Sequence, residues 1–215
     1  SKVTDIPMAQ IATRAILGER LIDMGYQTGL YPNQELVSVK APVFSFEKLQ
    51  AVDSYLGPEM KSTGEVMGTD RTLEKALYKA FEASGMHLPE TGAVLMTIAD
   101  ETKAEALEIA KEFDAIGYEL YATAGTSRFL NEHGLRTTIV ARVSQEAEET
   151  VVDVIRTGKV QVVVNTMDKK RTGASDGFMI RRTAVENGVP LLTSLDTAKA
   201  ILSVMVSQRM SVQAL

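Results

Sequence analysis

The sequence contains no cysteine in its 215 residues. That excludes a disulfide framework, a thiolate metal site and a cysteine nucleophile, and it fits a cytoplasmic protein. Histidine is scarce as well. His87 lies in a linker-like stretch and His133 near a helix end. Neither has a Ser/Asp partner pattern, so both read as surface residues, and no metal-ligand spacing appears. No apolar run approaches membrane-spanning length, and the N-terminus lacks the pattern of a signal peptide. Positive charge is not in excess: 23 Lys and Arg face 28 Asp and Glu, for a net charge of -5. A broad nucleic-acid surface is therefore excluded, and any anion site must be local. No G-x-G-x-x-G follows a strand and no G-x-x-x-x-G-K-[ST] loop occurs, which counts against a dinucleotide site and a P-loop.

What is present is the composition of an ordinary globular chain, 45% hydrophobic and 24% charged, with room for one large domain or two small ones. It opens "SKVTDIP", without an initiator Met, and reads as a piece of a longer protein. Residues 7 to 17 carry Met8, Ile11, Ala12, Ala15 and Ile16 at helical spacing. Gly18 ends that helix, and a short helical turn with Leu21, Ile22 and Met24 follows. "TGLYPNQE" is a loop. "LVSVKAPVF" is extended, with Pro42 arguing for an edge or a break. Residues 45 to 70 show no sustained period and are expected to be mostly loop with short helical pieces. A helix from about Asp70 places Leu73, Ala76, Leu77, Ala80 and Phe81 on one face and stops at Gly85. The segment offers few strands and no closed core, as expected of a domain lacking its other part.

After the linker "HLPET" the pattern changes. "GAVLMTIA" (92–99) is a continuous apolar run suited to a strand buried on both faces. Asp100 is expected to cap the next helix, which ends at Gly117. Strand 118–122 leads into "ATAGTSRFL", a turn of small residues and a helix capped by Thr126 and Ser127. "TTIVARV" is a third strand and 148–156 a helix. "VQVVVNT" is a fourth strand. The loop "MDKKRTGASDG" and a helix over about 178–186 come next, then the strand "VPLLTS" and a last helix from Asp196. Five alternations of strand and helix imply a five-stranded, mostly parallel sheet with helices on both faces.

Ligands of such sheets bind at the C-terminal strand ends. There the chain places Lys103 after the first strand, then Thr123, Gly125 and Thr126 after the second. Arg142 follows the third, and Asn165, Thr166 and the cluster Lys169, Lys170 and Arg171 follow the fourth. Free N–H groups at a helix start attract phosphate, and charge-assisted bonds hold it. Asn165 and Asp176 are candidates for reading the hydroxyls of an attached ribose. The acidic helix faces (Glu105, Glu108, Glu112; Glu146, Glu148, Glu149) are solvated surfaces.

"LGPEMKSTGEVMG" (Leu56 to Gly68) resembles the closing part of the second ATP-grasp half of the carbamoyl-phosphate synthetase large subunit. "SKVTDIP" resembles the same enzyme just beyond its last metal-binding carboxylate and asparagine. From about residue 90 the chain resembles that subunit's C-terminal regulatory domain, which shares its fold with methylglyoxal synthase. The resemblance implies a partial α+β ATP-grasp remnant over 1–88 and an allosteric domain over 89–215. It implies a parent that makes carbamoyl phosphate from glutamine, bicarbonate and ATP with Mg or Mn, for pyrimidine and arginine synthesis. It also implies two protein partners, the rest of the large subunit and a glutaminase small subunit. The ATP-binding loop and metal carboxylates would lie upstream of Ser1, so this chain itself would be non-catalytic, with no cofactor of its own.

The family's phosphate ligands match Lys103, Thr123, Thr126 and Arg142, the last replacing a more usual lysine. Its ribose-side asparagine matches Asn165, and an acidic residue falls near Asp176. The implied ligand is a phosphorylated effector such as uridine monophosphate, with inosine monophosphate and phosphoribosyl pyrophosphate as further candidates. Met167 stands where some members carry a hydroxyl. Ala41 and Leu191 stand where ornithine-activated members have a glutamate and a tyrosine, which tells against ornithine control. Two alternatives remain: a methylglyoxal-synthase-type lyase on a triose phosphate, needing Asp168 or Asp176 as base, and a purely structural cap.

Overall fold

The computed structural model describes residues 1–44, 60–166 and 176–212, with side chains through 208. Two units of secondary structure follow one another. The first begins with α1 (Met8–Ile16), which buries none of its residues. Residues 20 to 26 form hydrogen-bonded turns, with the Met24 N–H reaching the Arg20 carbonyl as in the expected short helical turn. β1 (Val37–Phe44) and β2 (Ser62–Asp70) then pair antiparallel, and α2 (Leu73–Ala83) packs across both. β2 corrects the expectation of loop over 45–70. Four of its nine residues are exposed and only Gly68 is buried, and neither the apolar alternation nor the β-branched density that flags a strand is present. Residues 45–59, part of the same stretch, lie outside the described residues. Pro42 is accommodated because a two-stranded sheet consists of edges.

α2 starts later than expected. Asp70 ends β2 and pairs with Lys79 at 2.8 Å, while the Thr72 hydroxyl caps the helix by accepting from the Lys75 N–H. Ala76 and Ala80 are fully buried against β2. Only a residue without a Cβ fits opposite them: a Cβ on Gly68 would stand 2.1 Å from the Ala76 carbonyl oxygen.

The second unit is the expected α/β sheet, and all five strands are parallel. β3 (Ala93–Thr97), β4 (Glu119–Thr123), β5 (Thr137–Val140), β6 (Val162–Asn165) and β7 (Leu191–Leu192) lie in the order β5-β4-β3-β6-β7. Successive side chains alternate between faces. Val94 and Met96 join one core with Leu120, Val162, Val164 and Leu192. This core is covered by α3 (Lys103–Ala115), α4 (Ala124–Glu132) and α7 (Leu195–Val212). Ala93 and Leu95 face the other core with Val163, under α5 (Val151–Arg156) and α6 (Asp176–Glu186). The helix side changes between β3 and β6, so the topological switch point lies there.

The two units are packed together. Phe81 of α2 and the following Met86 and Leu88 lie against the first core, and α2 touches α7. The Tyr118 hydroxyl donates to the Pro89 carbonyl, tying the connecting segment to the sheet.

Candidate functional site

The β3–β6 switch point opens as a cleft of about 170 Å³, lined by Thr97, Asp100, Thr123, Arg142, Asn165, Thr166, Asp176 and Arg181 among its polar residues. A single water needs roughly 10–15 Å³ on the same scale, so the cleft has room for a multi-atom ligand. Five sequence-derived candidates line it: Thr123, Arg142, Asn165, Thr166 and Asp176. Of the other three, Lys103 and Thr126 each bond a cleft residue, and Gly125 bonds Lys103. Lys103 Nζ donates to the Gly125 carbonyl at 3.0 Å and pairs with the cleft residue Asp100 at 2.6 Å. The Thr126 hydroxyl accepts from the N–H of Ile98, a cleft residue, at 3.2 Å. Lys169, Lys170, Arg171, Met167 and Asp168 fall outside the described residues.

The strand-to-helix junction after β4 departs from expectation. α4 begins at Ala124, with Thr123 in the N-cap position and no side-chain capping bond. Gly125 and Thr126 are therefore helical, and Thr126 and Ser127 are buried inside the first turns instead of capping them. Ser127 Oγ lies 2.6 Å from Thr137 Oγ1, so it fastens α4 to β5. Small hydroxyl residues after a strand suit a cap and a buried inter-element bond equally, and here burial decided. The consequence for chemistry is that no side chain among the described residues satisfies the leading N–H groups of this nine-residue helix. Such groups attract an anion.

The junction after β3 also differs. A 3₁₀ turn, Asp100–Thr102, intervenes, and α3 starts at Lys103, so Asp100 does not cap it. Two hydroxyl bonds lock this turn to the residue after β6, and a third closes the turn on itself. The Ala99 N–H donates to Thr166 Oγ1 at 2.8 Å, Thr166 Oγ1 meets Thr102 Oγ1 at 3.0 Å, and the Thr102 hydroxyl donates to the Ala99 carbonyl at 3.2 Å. Each hydroxyl has one proton. With the Thr102 proton on Ala99, Thr166 must donate to Thr102. Thr166 therefore faces the cleft with its proton committed and one lone pair left, and its first duty is structural.

Arg142 follows β5 in a short turn. Its N–H donates to Gln145 Oε1 at 2.9 Å, and the Gln145 N–H returns a bond to its carbonyl at 3.1 Å. The turn is anchored at both ends. Ala141 bridges to Thr150, and a capping box between Thr150 and Asp153 starts α5. On the far side Asp176 accepts from Ser144 Oγ at 3.3 Å.

Charge converges here. The hydrogen bond from Lys103, then the Lys103 charge, hold the Asp100 carboxyl below its ordinary range, with burial opposing and Arg142 adding to the effect. Asp100 is thus a resident carboxylate between two cations, where an incoming anion would compete with it. Its side chain is 91% exposed, whereas that of Lys103 is only 16% exposed, so the cation is built in and the carboxylate can swing away.

Sequence reasoning missed Thr97, Asp100 and Arg181. Thr97 closes an apolar run and reads as core. Arg181 is 3% exposed on α6, and Asn165 Oδ1 accepts from its Nη1 at 3.2 Å. Its signal was available: residues 177, 181 and 184 share a helix face. The two histidines are exposed and make local bonds, His87 with Glu82 and His133 with the Phe129 carbonyl. Among the described residues no group of His, Asp and Glu is placed to hold a metal ion. No helix among them is long and apolar enough to cross a membrane.

Residues 105–193 match the family model of the MGS-like domain, a stretch that runs from within α3 to just past β7. Among solved structures, a methylglyoxal synthase from Elizabethkingia anophelis NUHP1 is similar over 54% of this chain and 80% of its own, at 19% identity and a TM-score of 0.44. ForH is similar over 55% of this chain and 79% of its own, at 18% identity and a TM-score of 0.38. No assignment rests on either likeness.

Proposed function

We propose that the cleft binds a phosphorylated small molecule as a regulator, and that residues 89–215 form the allosteric domain of a carbamoyl-phosphate synthetase large subunit. The observation that carries the reading is the meeting, at the switch point, of an uncapped α4 start with Lys103 and Arg142. The phosphate would sit at the first turn of α4, between those two cations. The rest of the ligand would reach toward Asn165 and Asp176. Uridine monophosphate, inosine monophosphate and phosphoribosyl pyrophosphate have that layout.

Residues 1–88 are assigned on this reading to the end of the second ATP-grasp half, and the chain itself to a non-catalytic role. The partners are the rest of the large subunit and the glutaminase subunit, in the cytoplasm. Two features favour a regulatory use. α2 and the segment after it pack on the sheet core, giving a ligand-dependent change a mechanical route to the first unit. α1 and its neighbours expose Ile16, Leu17, Ile22 and Leu30, 64% to 100% exposed, as a surface that another part of a larger enzyme would cover. The effector acts only through a difference in affinity between two states of the parent.

A lyase of the methylglyoxal synthase type is the second reading, favoured by Asp100 and Asp176 at the cleft, either of which could serve as a base for a triose phosphate. The separating experiment is a thermal-shift panel with uridine and inosine monophosphates, phosphoribosyl pyrophosphate, ornithine and dihydroxyacetone phosphate. It is run beside an assay for methylglyoxal. Stabilisation by nucleotides without product is expected. Turnover of the triose phosphate would replace the regulatory reading with the catalytic one.

A further inference from the structure

We infer that Arg181 is a positioning residue that fixes the hydrogen-bond polarity of the inner cleft wall, turning Asn165 and Thr97 into donors toward the ligand. The inference rests on the reading of the cleft as a ligand site. It adds which chemistry the ligand must present at its inner end.

Arg181, Asn165 and Thr97 form a hydrogen-bonded chain along the cleft wall. Arg181 is 3% exposed, lines the cleft, and donates from Nη1 to Asn165 Oδ1 at 3.2 Å. Asn165, 4% exposed, donates from Nδ2 to Thr97 Oγ1 at 2.7 Å. A guanidinium has donors only and does not lose its proton in proteins, whereas an amide has a donor end and an acceptor end. A hydroxyl can take either role. Thr97 would therefore accept either orientation of the Asn165 amide: it accepts from the nitrogen or donates to the oxygen. Arg181 breaks that tie. Because it can only donate, the amide oxygen must face it, and the nitrogen must face Thr97.

Thr97 then spends a lone pair on Asn165 and keeps its hydroxyl proton. The Thr97 proton and the second Nδ2 proton of Asn165 meet no acceptor among the described residues. Both residues line the cleft. The wall beyond the phosphate seat thus offers protons and suits a ligand that presents carbonyl or other acceptor oxygens. A donor-only group such as an exocyclic amine would face the wall proton to proton. A polar group buried without a partner is penalised, so the preference is enforced rather than nominal.

The test is made on the whole chain by NMR of the Asn165 side-chain amide, identified by its disappearance in Asn165→Asp. The wild type should show one slowly exchanging Nδ2 proton pair. Arg181→Lys, still donor-only, should keep it. Arg181→Met and Arg181→Gln should broaden or double the signals as the amide flips, while the backbone spectrum stays folded. A parallel titration compares uridine with cytidine 5′-monophosphate, which differ by a carbonyl against an amino group. The expected preference for the uridine compound is at least about fivefold in the wild type and in Arg181→Lys, and near unity in Arg181→Met. An unchanged amide pair in both Arg181→Met and Arg181→Gln would overturn the inference, as would an unchanged nucleotide ratio. If those two variants failed to fold, two amide signal sets in the wild type or in Arg181→Lys would overturn it. Should the amide respond as expected while no phosphate compound binds the wild type, the effector reading would fail and the role of Arg181 toward Asn165 would stand.

Discussion

Gly125→Ala separates the protein's need for glycine from a ligand's need for it. Gly125 is the second residue of α4, and its φ is not in the left-handed region. A Cβ there would meet one neighbour, Lys103 Nζ, at 3.6 Å, an ordinary contact. Nothing in the fold demands glycine. In a helix interior alanine is favoured over glycine by about 0.8–1.0 kcal/mol, and the first turn should feel about half of that. The variant should therefore be more stable by ~0.5 kcal/mol, or about 1–2 °C in a domain of this size. The methyl group would also enter the space where the leading N–H groups and Lys103 converge. Losing one charge-assisted bond costs about 1.5–3 kcal/mol, so phosphate affinity should fall roughly 10- to 100-fold. Calorimetric titration with inorganic phosphate and with uridine monophosphate, beside a melting curve, measures both effects. A variant that melts higher and binds as tightly as the wild type would refute the seat at the α4 start. A variant that melts lower would refute the helical placement of Gly125.

Other outcomes follow from the same geometry. Gly68→Ala drives a methyl group into the α2 backbone and should destabilise by about 1–3 kcal/mol, read as a clear loss of melting temperature. Thr126→Ala removes the acceptor for the buried Ile98 N–H and should cost about 1–3 kcal/mol of stability, whereas Thr126→Ser should retain both stability and binding. Arg142→Ala should weaken phosphate ligands about tenfold and leave the melting temperature within about 1 °C, because the Arg142 contacts that hold its turn are backbone. The Asp153 carboxyl is held below its ordinary value of 3.8, first by the Thr150 hydroxyl and then by the Thr150 N–H. Its cap therefore contributes above that value and is lost as pH falls through the lower folded value. Wild type and Asp153→Asn should differ in melting temperature at pH 7 and converge near pH 2. A gap that persists at the acid end would sink the cap argument.

Much of the sheet unit was legible because its signals are strong. A five-residue strand buried throughout, Ala93–Thr97, shows as an unbroken apolar run, and Gly117 and Gly134 mark helix ends with φ of 80° and 86°. β2 was not legible, since the one residue it buries under α2 is Gly68, so the covered face carries no apolar alternation. Of the site, Thr123, Arg142 and Asn165 were found because topology alone sends strand ends to the cleft, whereas Thr97, which ends β3, was hidden by closing an apolar run. Roles were harder. Thr126, Ser127 and Thr166 have the composition of ligand-binding hydroxyls, yet each is engaged in holding one element to another. Of the adjacent pair Arg181 and Arg182, one is buried at the cleft and the other pairs with Glu186 on the surface. The choice depends on the helix phase relative to the sheet, which local sequence does not set.

The most direct test of the effector reading is amide chemical-shift mapping of the chain during titration with uridine monophosphate. A single binding site is expected. The largest shifts should fall on the N–H groups of Ala124, Gly125 and Thr126, with Arg142 and Asn165 following. At about a hundred times Kd the complex should be stabilised by about 2.7 kcal/mol. Shifts confined to residues outside the cleft, or none with any phosphorylated ligand, would contradict it.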